Sequence, residues 1–355
     1  MAKTLRFGII GGGVIGPTHA EAIAAQPDAT LVAVADIIPG KAKELTDRYG
    51  GTPYDDVQAM LDNEQLDVVT ICTPSGLHGT LACQAMRSGR HVIVEKPMEI
   101  THEAIQEMLR TQQEQHVKLA VISQHRFDPA TMQVKKMVDE RVFGRVVLGN
   151  AVVPWWRSQA YYDSGAWRGT WELDGGGVLM NQGIHTVDLL QWLMGSVKSL
   201  YAYTDTLVHR MQTEDVAVAT LRFANGALGT IVATTGAYPG LATRIEILGD
   251  KGSAVIEDDK LSHLHLARDE QEAVGPYGGG AKTQTASHPG TAQSTTASNP
   301  GAVNAQSHIV QFADMIRAIH EDGTPLVDGN AARIPVEIIL GIYESARTGK
   351  EVTFS

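Results

Sequence analysis

The chain has 355 residues, 43% hydrophobic and 19% charged, so it can bury two sizeable cores and is not disordered as a whole. Its net charge of −11 argues against nucleic acid or an anionic membrane surface as the main partner. The two cysteines, Cys72 and Cys83, are too few for a disulfide framework and lack metal-ligand spacing. They are expected as small buried hydrophobes in a reducing cytosol. No charged-then-apolar leader precedes the first strand-like run, and no uncharged apolar stretch is long enough to span a bilayer. A cytoplasmic globular protein is expected.

The first third alternates strand and helix. Leu5–Ile10 is an apolar run that ends in Gly11-Gly12-Gly13-Val14-Ile15-Gly16, and a helical pattern follows from Pro17 to about Ala25. Leu31–Ala35 is a second apolar strand, closed by Asp36, with a Lys-, Glu- and Ala-rich helix after Pro39. Val68–Cys72 and His91–Val94 are two more, with the helical stretch Gly79–Ser88 between them. Strands apolar along their whole length and spaced by helices predict a parallel sheet covered on both faces, a doubly wound dinucleotide fold.

Gly11, Gly13 and Gly16 have G-x-G-x-x-G spacing between a strand and a helix. The first permits a tight turn, the second lets the backbone approach a pyrophosphate, and the third allows close helix packing. The helix N-terminus adds unpaired N–H groups, so this loop, with Val14 and Ile15 inside it, is a candidate cofactor cradle. Asp36, twenty residues beyond Gly16, can accept hydrogen bonds from ribose hydroxyls and would repel a 2′-phosphate. NAD is therefore favoured, while Lys41 and Lys43 keep NADP open.

The second part differs. Gln133–Asp139 reads as helical, and Arg145–Val153 begins a set of strands that alternate apolar with polar or small residues. Val216–Phe223 and Ala227–Thr234 flank Asn225-Gly226, which predicts a two-residue hairpin. Thr243–Leu248 and Ser253–Ile256 flank a further turn. These features predict an α+β domain with a large, mostly antiparallel sheet. The boundary is placed near Gln124, giving a nucleotide domain at 1–124 and a substrate and oligomerisation domain at 125–355. Residues 275–306 are rich in Gly, Ser, Thr and Pro and read as a long surface excursion. Helices at Ile309–His320 and Ile334–Ala346 and a short Val352–Phe354 strand close the chain.

Two constellations carry chemistry. Glu95-Lys96-Pro97 follows the strand His91–Val94, at the end of the sheet that faces a ligand crevice. A Lys held there can donate to, or exchange a proton with, a substrate oxygen during hydride transfer. In Asp174-Gly175-Gly176-Gly177-x-x-x-Asn181-x-x-x-His185-x-x-Asp188, a helix from Gly177 would carry Asn181 and His185 on one face, with Asp188 one turn further. His185 suits acid-base work near neutral pH. Asn is a poor zinc ligand and no second His or Cys stands at ligand spacing, so no metal is expected here.

Taken together with Thr73-Pro74-Ser75-x-x-His78, these motifs make the chain resemble the glucose-fructose oxidoreductase / inositol dehydrogenase / rhizopine catabolism family (Gfo/Idh/MocA) along essentially its whole length. The resemblance implies a Rossmann domain followed by a sheet domain for substrate and subunit contacts. It places Glu95 and Lys96 by the nicotinamide ribose, with Lys96 also reaching the reacting hydroxyl, and Thr73, Pro74 and His78 along the nicotinamide side. It makes His185 the catalytic acid-base and Trp167-Arg168 a substrate-lining pair. Asn181 is a departure, since many sugar and polyol dehydrogenases of the family carry Asp there, and an amide cannot take a proton. Members with Asn resemble sugar 3-dehydrogenases, which points to oxidation at C3 of a pyranose sugar, glycoside or nucleotide sugar. Two other readings are an NAD-recycling glycosidase or lyase, with Tyr161, Tyr162 or His308 as its extra base, and a non-catalytic NAD-binding regulator. An uncovered sheet face would be closed in a homodimer or homotetramer.

Overall fold

The computed structural model describes residues 3–267 and 305–354. Contacts divide the chain into two compact units, and the division is not a single cut after residue 124. Ala166–Asn181 and 305–337 return to the first unit, and the second holds 125–165, 182–267 and 338–354. Most of the predicted 275–306 excursion lies outside the described residues.

In the first unit the strands are β1 (Leu5–Ile10), β2 (Ala29–Ala35), β3 (Thr52–Tyr54), β4 (Val68–Ile71), β5 (His91–Val94) and β6 (Leu119–Val121). Between them run α1 (Gly16–Ala24), α2 (Lys41–Tyr49), α3 (Val57–Asn63), α4 (His78–Arg87) and α5 (His102–Gln115). The strands pair in parallel in the order β3-β2-β1-β4-β5-β6. The order reverses between β1 and β4, and a crevice for ligand opens at such a reversal, beyond the carboxyl ends of the strands. The expected nucleotide fold is present, and β3 and β6 are three-residue additions too short to leave an apolar run in the sequence. Phe7, Ile9, Val34, Val68 and Ile93 form its core with Phe312 and Met315. The last two come from α9 (Ala305–His320), which packs on α1, and the rings of Phe7 and Phe312 stack 6.1 Å apart.

The second unit contains α6 (Pro129–Asp139), β7 (Val146–Pro154), α7 (Gln159–Asp163), α8 (Ile184–Met194), β8 (Val197–Asp205), β9 (Val216–Phe223), β10 (Leu228–Thr234), β11 (Arg244–Gly249), β12 (Gly252–Glu257) and β13 (Lys260–Leu266). α10 (Gly329–Thr348) leads into β14 (Val352–Thr353). The eight-stranded sheet is antiparallel except where β7 and β10 run parallel. Its strands alternate as a half-covered sheet requires. Ala217, Ala219, Leu221 and Phe223 of β9 are buried, α6 and α8 pack on the sheet, and Val218, Tyr203 and Leu228 are exposed. The hairpin at Asn225-Gly226 is longer than predicted. Phe223 N donates to Ala227 O at 2.9 Å, closing a three-residue loop with Gly226 in the left-handed region at φ 89°. Asn225 is drawn into that loop because its side chain bonds Met194 O and Ala227 N.

Candidate active site

The glycine loop opens at the carboxyl end of β1. Gly11 has φ 101°, and a Cβ there would meet the carbonyl oxygen of Cys72 at 2.6 Å, so only glycine fits between β1 and β4. A Cβ on Gly13 would meet nothing within 4 Å, which leaves backbone open for a ligand to approach. Ile15 starts α1 without a side-chain cap, and Val14 is exposed. Asp36 accepts from Gly12 N at 2.7 Å and from Ile38 N at 2.8 Å, so its carboxylate is fixed beside the loop. Lys41 is paired with Glu44 at 2.8 Å and Lys43 with Asp47 at 2.6 Å, so the two cations that could receive a 2′-phosphate are engaged. At the end of β4, the Thr73 hydroxyl is buried without a hydrogen-bond partner. An open backbone, an uncapped helix start, an ordered carboxylate and an unsatisfied hydroxyl fit a dinucleotide. Pro74 follows, half-buried. His78 is 1% exposed. Its Nδ1 lies 2.7 Å from Pro97 O and its Nε2 2.9 Å from Thr73 O, so it links the two strand-end turns.

Glu95 is buried at the end of β5. Its Oε1 meets His19 Nε2 at 2.9 Å and His308 Nε2 at 3.4 Å, and its Oε2 accepts from Lys96 N at 3.0 Å. Burial would raise this carboxyl, but His19 and His308 hold it well below the usual carboxylate range. Burial lowers His19 in turn, and Thr70 Oγ1 lies 2.6 Å from its other nitrogen. These separations are those of hydrogen bonds. His308, a candidate base for the glycosidase reading, is thus enclosed behind Glu95. His19 was not singled out in the sequence. The available signal was His19, a polar residue three places after Gly16 on the buried face of α1.

Lys96, half-buried and joined to Pro97 by a cis peptide, reaches the loop that ends in the second constellation. Its Nζ donates to Asn181 O at 2.8 Å and lies 3.5 Å from Asn181 Oδ1. Asn181 Nδ2 donates to Asp174 Oδ1, and Asp174 Oδ2 accepts from Gly169 N at 2.8 Å. Gly175, at φ 73°, passes against Ile100, where a Cβ would sit 2.3 Å from the side chain. Trp167 and Arg168 stack in this loop, the guanidinium carbon 4.5 Å from the ring centre.

The helix expected from Gly177 begins differently. Val178–Gly183 is a π-helix, and α8 starts only at Ile184. His185 belongs to the second unit, where its ring meets that of His125 edge-on with centroids 5.0 Å apart. His125 Nδ1 lies 2.8 Å from Asp128 and 3.1 Å from Asp259. Burial would lower this imidazole, but the two carboxylates push it up to about 10. Asp188, on the expected reactive face, is engaged by Arg126 through Nε at 2.8 Å and Nη2 at 2.5 Å, with both side chains 3% exposed.

Residues 5–123 match the family model described as oxidoreductase family, NAD-binding Rossmann fold, and 131–255 match the GFO/IDH/MocA C-terminal domain. Among curated relatives, inositol 2-dehydrogenase of Rhizobium meliloti (strain 1021) is 30% identical, over 74% of this chain and 79% of its own. D-glucoside 3-dehydrogenase of Escherichia coli (strain K12) is 34% identical over 57% and 58%. Among solved structures, the WlbA dehydrogenase of Bordetella pertussis, in complex with NADH and UDP-GlcNAcA, aligns with a TM-score of 0.86 at 34% identity, covering 99% of both chains.

Proposed function

The chain belongs to the GFO/IDH/MocA family of NAD-binding oxidoreductases, and from that premise we propose that it oxidises a secondary alcohol, at C3, of a pyranose held as a glycoside or nucleotide sugar. The observation that carries this reading is Lys96 held at the end of β5, half-buried, with its ammonium directed by Asn181. Gly11, Gly13, Val14, Ile15, Gly16, Asp36 and Thr73 would hold NAD, which when bound would supply a hydride acceptor at nicotinamide C4. Lys96 holds the substrate oxygen and stabilises the charge that develops on it. His185 takes the hydroxyl proton in oxidation and returns it in reduction. Asn181 orients by hydrogen bonding and transfers no proton. Trp167 and Arg168 present a ring and a cation suited to a sugar face and its oxygens. The named activities and ligands of D-glucoside 3-dehydrogenase and of the WlbA dehydrogenase support C3 of a glycoside or nucleotide sugar. The exposed sheet face bearing Tyr203, Val218 and Leu228 supports a homo-oligomer, dimer or tetramer.

The test is nicotinamide reduction across free sugars, inositols, glycosides and nucleotide sugars, with NAD and NADP in parallel. Turnover with one glycoside or nucleotide-sugar class, at least tenfold better with NAD, is expected. Silence in every class despite measured NAD binding would sink the reading, as would full turnover by both Lys96→Ala and His185→Ala.

A further inference from the structure

Asp174 lies outside the chemistry proposed above, yet the residue is 1% exposed, and solvating its carboxylate falls to two N–H donors. One is the backbone of Gly169, and the other is the Asn181 side-chain amide. Burial raises its carboxyl, opposed by those two bonds and by the charges of Lys96 and Arg168. An amide nitrogen committed to a carboxylate leaves the amide oxygen to face elsewhere, and here it faces Lys96 Nζ. Flipping Asn181 would turn its oxygen on a buried anion and its NH2 on an ammonium, opposing both charges at once. The amide is therefore held between a cation and an anion with its dipole aligned to both.

We propose that Asp174 is a positioning residue for hydride transfer, fixing the Asn181 amide with its oxygen toward Lys96 and, through that amide, favouring the ammonium form of Lys96. The inference rests on the reading of Lys96 as the residue that holds the substrate oxygen. Among the described residues of the first unit, the charged and titratable groups near Lys96 include Glu95 just before it, with His19 and His308 on that carboxylate, Asp174 beyond the Asn181 amide with Arg168 close to it, and His78 behind Pro97. A competing role exists. Asp174 also folds its own loop, where Asp174 N and Gly175 N both donate to Thr170 O and Gly76 N donates to Leu173 O. A loop brace alone would leave the reactivity of Lys96 unchanged.

The experiment is trace acetylation of Lys96 by acetic anhydride across a pH series, read by mass spectrometry against the exposed Lys136 as internal reference. Thermal midpoint and NADH binding are measured alongside. Asp174→Asn removes the anion and should lower the Lys96 titration midpoint by about half to one pH unit, raising its labelling roughly three- to tenfold at mildly alkaline pH. Asp174→Asn combined with Asn181→Asp reverses the order of amide and carboxylate and should return the midpoint to the parent value or above it. An unmoved midpoint in folded Asp174→Asn overturns the proposal, and so does a lowered midpoint that the double variant fails to restore. Should the single variant not fold, the double variant decides alone, and labelling above the parent overturns the idea. Failure of both to fold would mark Asp174 as a loop brace and overturn it too. No sugar enters the measurement, so a silent substrate panel would leave its outcome intact.

Discussion

Replacing Asp188 by Asn should destabilise the second unit far more than replacing the whole ion pair. The Arg126–Asp188 bridge is two-pronged and nearly dry, and the guanidinium also lies over Trp192, 5.2 Å from the ring centre. Asn is almost isosteric, so packing survives and the loss isolates the charge. Arg126 would then stay buried without its anion, a situation that costs about 3–5 kcal/mol. At about 2–4 °C per kcal/mol for a domain of this size, the midpoint should fall by roughly 10 °C. Arg126→Met with Asp188→Leu removes both charges and refills the volume, so that pair should lie within about 1–2 kcal/mol of the parent. Urea unfolding followed by tryptophan fluorescence, with Trp192 beside the pair, is run on the parent, Asp188→Asn, Arg126→Met, Asp188→Leu and the double variant, and the last three against the parent give the coupling. The reasoning is refuted if Asp188→Asn costs under about 1 kcal/mol, or if the double variant loses the sum of the single losses.

Three other outcomes are expected. Asp36→Ser removes a carboxylate poised beside the glycine loop, so NAD should bind about 10- to 100-fold more weakly while NADP loses little; calorimetric titration with both decides. His125, pushed up to about 10 by Asp259 and Asp128 against burial, binds its proton more tightly folded than unfolded, where a His titrates near 6.5. Its stabilisation is complete below about pH 6.5 and lost as pH rises through about 10, so Asp259→Asn should flatten alkaline loss in unfolding curves taken across that window. Glu95 is held low by His19 and His308 against burial, so its contribution is present above its unfolded value near 4.3 and lost as pH falls through the depressed one. Glu95→Gln should lower stability near neutrality and remove part of the acid-side slope.

Local patterns were the legible part. The apolar runs of β1, β2, β4 and β5, the glycine spacing and Asp36 are properties of short segments whose meaning survives without neighbours. The alternation in β7 and β9 similarly announced a half-covered sheet. Partnership across long separations was not legible. Glu95 meets His308 across 213 positions and His19 across 76, and no periodicity encodes either encounter. Asp188 looked like part of a reactive face until Arg126, 62 residues away, was found to bind it. The parallel pairing of β7 with β10 has the same origin.

The sequence by itself determined the doubly wound first unit, the dinucleotide loop and the family, because glycine tolerance, apolar runs and motif order are set by covalent geometry and side-chain type. Only the tertiary structure decided that His78 links two strand-end turns, that Asn181 is oriented by Asp174, and that the chain crosses back into its first unit at Ala166–Asn181 and 305–337. The reason is physical. A buried polar group must find its partner wherever the packed chain supplies one, and that choice is made by the fold as a whole.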